Sequence, residues 1–261
     1  SPVLEINNKY FLDSLLDTFP QTTLNIKIGK LVVVHPRLSV SFVSYRNQMN
    51  FLNLRTMTLL AQISLSDSIV IKSFVWDKFS GRFLIIDHLG CLSIYNYDIS
   101  FKSIDKIFEF KGYGIESALP LTDRSSFLFV SKDGVFNIDL LGYELKQVGS
   151  IILPSKTRLD CMLCNNSVLA VNKKEGKIYK IWLKNKESES LFNFETSLIS
   201  YYFFDGLLAV VTNERTVKVL CIERNEVIFE KKSIQVDKSG ALIENVLLVS
   251  DYVIVGVSKG M

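Results

Sequence analysis

Two cysteines with the spacing of a metal or redox motif are the first residues that could do chemistry. Cys161 and Cys164 are separated by two residues, whereas Cys91 and Cys221 each stand alone in the sequence. A structural zinc site needs four ligands, and this pair supplies only two. Cysteine is also a common small apolar residue in protein cores. We therefore expect both to lie on a buried strand, and we expect no metal and no cofactor.

The chain contains two histidines, and neither has the neighbours of a catalytic base. His35 precedes Pro36 at a predicted turn, and His88 follows Asp87 at the tip of a predicted hairpin. An aspartate beside a histidine could orient the imidazole for general-base catalysis. No nucleophile stands in a recognisable position, so we expect both histidines on solvated turns.

Most sequence motifs of the common enzyme classes are missing. There is no metal-binding histidine pair and no dinucleotide fingerprint, and Gly29-Lys30 lacks the rest of a phosphate-binding loop. The pattern Gly-x-Ser-x-Gly occurs once, at Gly256–Gly260. The sequence therefore predicts a protein that is not an enzyme.

The composition is that of a mixed-charge globular protein. The 261 residues are 48% hydrophobic and 11% aromatic, with a net charge of +3. This mild charge favours neither a nucleic-acid coat nor a strongly anionic substrate. No apolar run approaches the roughly 18 residues that would span a bilayer.

The same features predict an intracellular location. The first twenty residues contain Glu5, Asp13 and Asp17, which does not fit a secretory signal. Four cysteines in a chain of this length do not make a disulfide framework. We expect a reducing compartment, either the cytoplasm or the nucleus.

One pattern recurs along most of the chain: an apolar run, a tight polar turn and a second apolar run. The copies are LSVSFVSYRNQMNFLNL, FLIIDHLGCLSIYNY, FLFVSKDGVFNIDL, LAVNKKEGKIYKIWL and LLAVVTNERTVKVLCI, followed by YVIVGVSKGM, which ends at its turn. The turn markers Asn47, Gly90, Gly134, Gly176, Arg215 and Gly260 are about 43, 44, 42, 39 and 45 residues apart. A strand repeat of this length is typical of a β-propeller blade.

The clearest unit predicts four strands. The first is centred on Phe74–Trp76, the second is Phe83–Ile86, the third is Cys91–Tyr97, and Phe101–Phe110 supplies a more polar outer strand. Uninterrupted apolar strands are expected where both faces are buried, as between neighbouring blades. The intervening turns place Gly134, Gly176, Asn47 or Asn213 where a positive φ is needed.

These units resemble WD40-type propeller repeats over roughly Leu24 to Met261. The matching segments are His35-Pro36 ahead of a strand pair, Trp76-Asp77 at the end of a first strand, Lys132–Asp139, and Gly176–Trp182. No Gly-His dipeptide opens a repeat and no repeat ends in Trp-Asp, so the hydrogen-bond network of regular repeats is not carried over. The resemblance implies an all-β propeller of four-stranded antiparallel blades, about six of them visible here and about seven in the full protein.

The predicted domains are a lead-in at residues 1–23 and a propeller at residues 24–261 whose last blade is incomplete. Tyr10, Phe11, Leu15, Leu16 and Phe19 form a rough helical stripe that Pro20 ends. A short helix or an irregular lead-in is therefore expected, with a closing strand at residues 3–6 as the alternative. We also expect the chain to be part of a longer protein, because a bare hairpin edge is a liability.

A modestly basic set of turn residues is the candidate partner-binding face. In a propeller the turns between second and third strands gather at one end, and here they supply Arg46, Lys132, Lys173, Lys174, Arg215 and Lys259. Asp87, Asp133, Glu175 and Glu214 oppose them. Such a face would receive an acidic or phosphorylated segment of a partner. The alternative is a set of ordinary solvated hairpin tips.

A second group of lysines, between Lys173 and Lys186, surrounds Tyr179 and Trp182 and could contact nucleic acid. Strand alternation sends the two aromatic rings to different faces, so this function is not favoured. No Arg-Arg motif of phosphoinositide-binding propellers occurs. The sequence thus favours a non-enzymatic scaffold subunit of a multi-protein intracellular complex. A peptide- or phosphopeptide-binding adaptor and a nucleic-acid-associated subunit remain as alternatives.

Overall fold

The computed structural model describes residues 31–78, 80–142, 144–231, 242–249 and 252–258. The predicted lead-in at residues 1–23, the possible closing strand at residues 3–6 and the candidate site residue Lys259 lie outside these ranges. The described residues form 22 strands and no helix.

The strands follow one another in groups of four along the chain. They are β1 (Val32–Val34), β2 (Val40–Tyr45), β3 (Gln48–Asn53), β4 (Thr58–Ser64), β5 (Ile71–Asp77), β6 (Arg82–Asp87), β7 (Leu92–Tyr97), β8 (Ile104–Phe110), β9 (Ser117–Pro120), β10 (Ser126–Ser131), β11 (Gly134–Asp139), β12 (Glu144–Gln147), β13 (Arg158–Leu163), β14 (Ser167–Asn172), β15 (Lys177–Trp182), β16 (Glu187–Asn193), β17 (Leu198–Phe204), β18 (Leu207–Thr212), β19 (Val217–Cys221), β20 (Glu226–Lys231), β21 (Leu242–Val249) and β22 (Tyr252–Ser258).

Each group of four is one antiparallel sheet whose spatial order equals its chain order. Blade 1 is β1–β4, blade 2 is β5–β8, blade 3 is β9–β12, blade 4 is β13–β16 and blade 5 is β17–β20. The pair β21–β22 forms a two-stranded sixth sheet. First strands of neighbouring blades contact each other, as β5 does with β9 and β9 with β13. The prediction of four-stranded propeller blades is confirmed, with five complete blades and part of a sixth.

The core lies between blades. Every residue of β10 and β14 is buried, whereas every residue of the outer strand β20 is exposed. Among the described residues five apolar clusters occur, and each joins one blade to the next blade or, for the last, to the sixth sheet. This explains why the second and third strands are so uniformly apolar: both of their faces are covered.

Aromatic rings dominate the contact between blades 1 and 2. The rings of Phe42 and Phe74 stack with centroids 3.8 Å apart, and Phe51 packs 5.2 Å from Phe83. Each such pair contributes about 0.5–1.5 kcal/mol beyond the burial of its area. This interface is therefore a rigid part of the ring.

Turn conformation agrees with the prediction at the glycines and differs at the asparagines. Gly134 and Gly176 have φ values of 137° and 66°, as expected. In the turns that contain Asn47 and Asn213, the positive φ belongs instead to Arg46 (51°) and Arg215 (62°). The Asn47 side chain has another use, since its amide donates to the Leu65 carbonyl. The expectation for the two asparagines was wrong.

Candidate partner-binding surface

The turns between second and third strands lie together at one end of the blades, which we call the tip face. In blades 1, 2, 4 and 5 this turn is hydrogen-bonded to a link between blades. Examples are Ile115 N to Gly90 O (3.0 Å), Phe194 N to Gly176 O (3.0 Å) and Asn213 N to Ser197 O (2.8 Å). These bonds fix the tips relative to the ring, so the tip face is a preorganised surface.

Three predicted residues are exposed on the tip face of blades 3 and 4. They are Lys132, in the β10–β11 turn, and the adjacent Lys173 and Lys174, in the β14–β15 turn. Arg46 is also exposed, in the β2–β3 turn of blade 1, with its guanidinium 5.5 Å from the centroid of the Tyr45 ring. These four side chains can meet a partner.

Arg215 has a different environment. It is half-buried, and its guanidinium donates a hydrogen bond to the main-chain carbonyl of Ile243 on β21. This bond joins blade 5 to the sixth sheet. The structure therefore gives Arg215 a contact between blades, which the sequence pattern did not indicate.

Blade 4 brings two further cations to the lysines of its tip. The buried side chain of Asn172 donates to the Ser155 carbonyl (3.1 Å) and to Thr157 Oγ1 (3.2 Å). These two hydrogen bonds hold the residues that lead into β13 against the β14–β15 turn. Lys156 and Arg158 flank Thr157, so the same bonds bring them to the tip face. We call Lys156, Arg158, Lys173 and Lys174 the blade-4 basic cluster. Lys156 and Arg158 were missed from the sequence because neither lies in a hairpin tip: Lys156 lies in the link into β13, and Arg158 is the first residue of that strand.

Two carboxylates lie near the cluster without forming an ion pair with its side chains. Glu116 accepts hydrogen bonds from Ser155 Oγ (3.2 Å) and from the main-chain nitrogen of Lys156. Glu175 pairs with Lys177 at 3.1 Å. Among the ion pairs between described residues, none involves a cation of the blade-4 basic cluster. None of the four cations therefore has a direct ion-pair partner among the described residues, and the Glu116 carboxylate lies beside the main chain of Lys156.

The cluster also has an electrostatic signature. Burial, and then the nearby Arg158 guanidinium, lower the pKa of Lys173. Both causes disfavour the charged ammonium. An anion placed beside Lys173 and Arg158 would relieve this repulsion.

The lysines that could have formed a nucleic-acid surface are divided between two ends of blade 4. Lys173, Lys174 and Lys177 lie near the tip face, whereas Lys184 lies in the β15–β16 turn at the opposite end. Tyr179 packs into the core between blades 3 and 4, and the Lys180 ammonium lies 3.9 Å from the Trp182 ring centroid. The two aromatic rings therefore do not form one stacking platform.

His35 is buried, so its predicted solvated turn was wrong. Its Nδ1 accepts hydrogen bonds from the main-chain nitrogens of Arg37 (3.0 Å) and Leu38 (2.8 Å). Nε2 therefore carries the proton and donates to the hydroxyl of Tyr97 (2.8 Å). Burial, and secondarily the charge of Arg37, lower the pKa of His35. This histidine is a neutral structural group.

The second histidine is exposed, as predicted, but its neighbouring aspartate does not orient it. The Asp87 carboxylate accepts hydrogen bonds from the main-chain nitrogens of Leu89 and Cys91, both at 2.9 Å. His88 Nδ1 accepts a hydrogen bond from Val70 N (3.3 Å). Asp87 is therefore a turn-stabilising residue and not the partner of a general base.

All four cysteines are free thiols. Cys161 is half-buried on β13, while Cys164 is exposed in the following turn, so the prediction of a buried strand position was wrong for Cys164. Burial and the adjacent Asp160 raise the pKa of Cys161, which keeps it a thiol. No group of three His, Cys, Asp or Glu residues in the described part of the chain could hold a metal ion.

Comparison with solved structures places the fold. The crystal structure of the RRP9 WD40 repeats matches with a TM-score of 0.68 and 12% identity, over 87% of this chain and 72% of that one. The structure of U3-55K matches with a TM-score of 0.65 and 12% identity, over 87% and 73%. The computationally designed Ika8 protein matches with a TM-score of 0.60 and 12% identity, over 87% and 67%. No protein-family model and no curated protein matches the sequence.

The fold is that of a WD40-type β-propeller, which confirms the resemblance seen in the sequence. No helix with the length and hydrophobicity for crossing a membrane occurs in the ranges that the structure describes.

Proposed function

We propose that this propeller is a non-enzymatic scaffold subunit of a multi-protein intracellular complex, and that its tip face binds an acidic segment of a partner subunit. The observation that carries the proposal is the blade-4 basic cluster. It combines four cations on a surface that hydrogen bonds between turns and links hold in place.

The chemistry of the candidate residues supports a binding role. The one buried histidine is neutral and fully hydrogen-bonded, and Cys161 is kept as a thiol by its surroundings. Neither residue has the activation that nucleophilic or general-base catalysis requires. Four free thiols agree with a reducing compartment, which supports the proposed location in the cytoplasm or the nucleus.

Acidic side chains or phosphoryl groups of a peptide would both suit the cluster. Arg158 offers a planar fork of donors that can bind a carboxylate or a phosphate with two hydrogen bonds, and the lysines add point charges. Lys132, on the neighbouring blade, is also exposed on the tip face, next to the exposed Asp133. A segment with several anionic residues in sequence would therefore bind better than one isolated charge.

The test compares two charge reversals in the full chain. Lys173→Glu with Lys174→Glu changes the tip face, whereas Lys184→Glu with Lys186→Glu makes the same change of charge in the β15–β16 turn at the other end of blade 4. Isothermal titration calorimetry with a glutamate-rich peptide and with its serine-phosphorylated counterpart measures the effect. We expect the first pair to weaken binding about tenfold or more and the second pair to have little effect.

A polynucleotide added to the same variants tests the nucleic-acid alternative. Tight binding with a steep salt dependence, lost equally in both charge-reversal variants, would favour a nucleic-acid-associated subunit. Equal weakening of peptide binding by both pairs would contradict the proposed location of the site.

A further inference from the structure

A carboxylate of the protein itself is bound at the blade-4 basic cluster. Glu116 is the last residue of the link between β8 and β9. Its Oε1 atom accepts a hydrogen bond from Ser155 Oγ (3.2 Å), and its Oε2 atom accepts one from the main-chain nitrogen of Lys156. The two donors therefore hold the two oxygens of one carboxylate, and their spacing suits this chemical group.

The protein holds both donors in place by contacts that do not involve the carboxylate. The Ser155 carbonyl accepts a hydrogen bond from the Asn172 side chain (3.1 Å). The buried Thr157 closes the turn that contains the donors, since its main-chain nitrogen and its hydroxyl both donate to the Pro154 carbonyl (3.2 and 2.6 Å). Donors that are fixed before a ligand arrives bind it at a lower cost in conformational entropy.

Only the side chain of Glu116 takes part in this contact, so it can leave the donors while the main chain stays. The main-chain nitrogen of Glu116 donates to the Val130 carbonyl (2.8 Å), which fixes the backbone. The carboxylate contacts two exposed residues and belongs to none of the ion pairs between described residues. Such hydrogen bonds contribute about 0.5–1.5 kcal/mol each. Rotation of one side chain would therefore free both donors for another carboxylate.

We propose that Ser155 Oγ and the Lys156 main-chain nitrogen are a carboxylate-binding subsite of the tip face, which Glu116 occupies in the free protein and a glutamate or aspartate of the partner segment occupies in the complex. This inference rests on the proposed function, because it concerns the same basic cluster and the same acidic segment. Glu116 is an internal competitor, and it reduces the apparent affinity to the fraction of molecules in which the subsite is free. A segment with several acidic residues overcomes the competition, since its other carboxylates bind Lys173 and Lys174 at the same time.

The first measurement removes the internal carboxylate in the full chain. Glu116→Ala leaves both donors free, so isothermal titration calorimetry should show that it binds the glutamate-rich peptide about tenfold more tightly than the unchanged protein does. Loss of a negative charge near the cluster also strengthens binding of an acidic peptide to some extent. Glu175→Ala controls for this effect. It makes the same change of charge in the β14–β15 turn, where the carboxylate pairs with Lys177, and it should change the affinity much less.

The second measurement removes one of the two donors. In the unchanged protein, Ser155→Ala takes a hydrogen bond from Glu116 and from the partner carboxylate alike, so peptide affinity should change little. In the Glu116→Ala background only the partner carboxylate loses a bond, and Ser155→Ala should weaken binding about fivefold to tenfold. A hydroxyl that merely supported the link would have the same effect in both backgrounds.

The amide proton of Lys156 reports directly on occupation of the subsite. In a nitrogen–proton correlation spectrum its resonance should move upfield in Glu116→Ala, because the amide loses a carboxylate acceptor. Addition of the glutamate-rich peptide to this variant should move the resonance back downfield. The same titration of the unchanged protein should move it little, since one carboxylate replaces another.

Three results would overturn this inference while the charge-reversal comparison still supported the proposed function. They are a Glu116→Ala protein that binds the peptide no more tightly than Glu175→Ala does, an equal effect of Ser155→Ala in both backgrounds, and a Lys156 amide in Glu116→Ala that does not respond to the peptide. If neither the unchanged protein nor Glu116→Ala binds the peptide, the proposed function and this inference are both wrong.

Discussion

The Nε2 atom of His35 lies 2.8 Å from the hydroxyl oxygen of Tyr97, and this hydrogen bond joins blade 1 to blade 2. The His35 ring also packs edge-on against Trp76, with centroids 4.8 Å apart. Trp76 Nε1 in turn donates to the Val33 carbonyl of β1 at 3.1 Å. Three polar side chains thus connect two blades at the end of the ring opposite the tip face.

The first prediction concerns the pH dependence of this connection. The pKa of His35 is below its ordinary value of 6.5 in the folded protein, so the unfolded chain binds a proton first as the pH falls. Stability is therefore fully present above pH 6.5 and decreases as the pH falls from there towards the folded pKa. Urea denaturation between pH 7.5 and pH 5.5 should show this loss. The His35→Gln variant should be less stable than the unchanged protein at neutral pH, and its free energy of unfolding should change less between pH 7.5 and pH 5.5. If the free energy of unfolding changed with pH by the same amount in both proteins, His35 would not be the cause of the pH dependence.

The second prediction is that Tyr97 stabilises the folded protein through the hydrogen bond of its neutral hydroxyl group. Burial, and secondarily Asp77, raise the pKa of Tyr97 to about 12, so the phenol is neutral at any physiological pH. Tyr97→Phe removes the hydrogen-bond partner of His35 while keeping the ring. We expect a loss of about 1–3 kcal/mol in the free energy of unfolding, measured by urea denaturation. Tyr202→Phe, at a more exposed tyrosine of β17, is the control and should change it little.

The blade-4 basic cluster should depend on a neutral residue beneath it. Asn172→Ala removes both hydrogen bonds that hold the link of Lys156 and Arg158 to the turn of Lys173 and Lys174. We expect a loss of about 1–3 kcal/mol in stability and a weaker affinity for the glutamate-rich peptide, with every charge retained. Thermal unfolding and calorimetry at a temperature well below the transition would separate the two effects. If the folded Asn172→Ala variant bound the peptide with unchanged affinity, the cations of the cluster would not need the Asn172 hydrogen bonds in order to bind it.

Arg215 should behave as a structural residue. Arg215→Met removes the hydrogen bond to Ile243 and should lower stability by about 1 kcal/mol while peptide binding stays close to that of the unchanged protein. Calorimetry beside the Lys173→Glu and Lys174→Glu pair gives the comparison. If Arg215→Met lost as much peptide affinity as the Lys173→Glu and Lys174→Glu pair, Arg215 would be part of the binding surface after all.

Two glycines test the turn geometry. Gly134 has a φ of 137°, which residues with a side chain rarely adopt. A Cβ added there would lie 2.9 Å from Gln147 Nε2 and 3.0 Å from the Ile151 carbonyl oxygen. Gly134→Ala should therefore cost about 1–3 kcal/mol. At Gly142 the nearest atom would be 3.4 Å away and φ is not positive, so Gly142→Ala serves as the matched control. Equal stabilities by thermal unfolding would contradict the assigned turn.

The blades could be predicted from the sequence because burial on both faces imposes an apolar pattern that local composition displays. Strand β10 (Ser126–Ser131) follows this rule, and so does β14 (Ser167–Asn172). Contacts between distant segments leave no such local pattern. The hydrogen bond from Arg215 to Ile243 spans 28 residues, and the one between His35 and Tyr97 spans 62. At such separations, the sequence around one partner carries no information about the other.

The candidate site was predictable to the same limited extent. The tips follow from the repeat, and Lys132, Lys173 and Lys174 lie on them as predicted. Arg158 could not be assigned, because its proximity to Lys173 depends on the register of β13 against β14 and on the Asn172 hydrogen bonds. A search for cations at the starts of the first strands, and not only in the hairpin tips, would have found Arg158.

The most direct test of the central claim is the stoichiometry of the complex that the protein forms in its own cells. The full-length protein, its Lys173→Glu and Lys174→Glu variant, and its Lys184→Glu and Lys186→Glu variant would each be purified by affinity tag and quantified by mass spectrometry. We predict a stoichiometric partner with an acidic segment that is lost from the first variant and retained by the second. A protein that purifies alone, or a partner retained equally by both variants, would contradict the account.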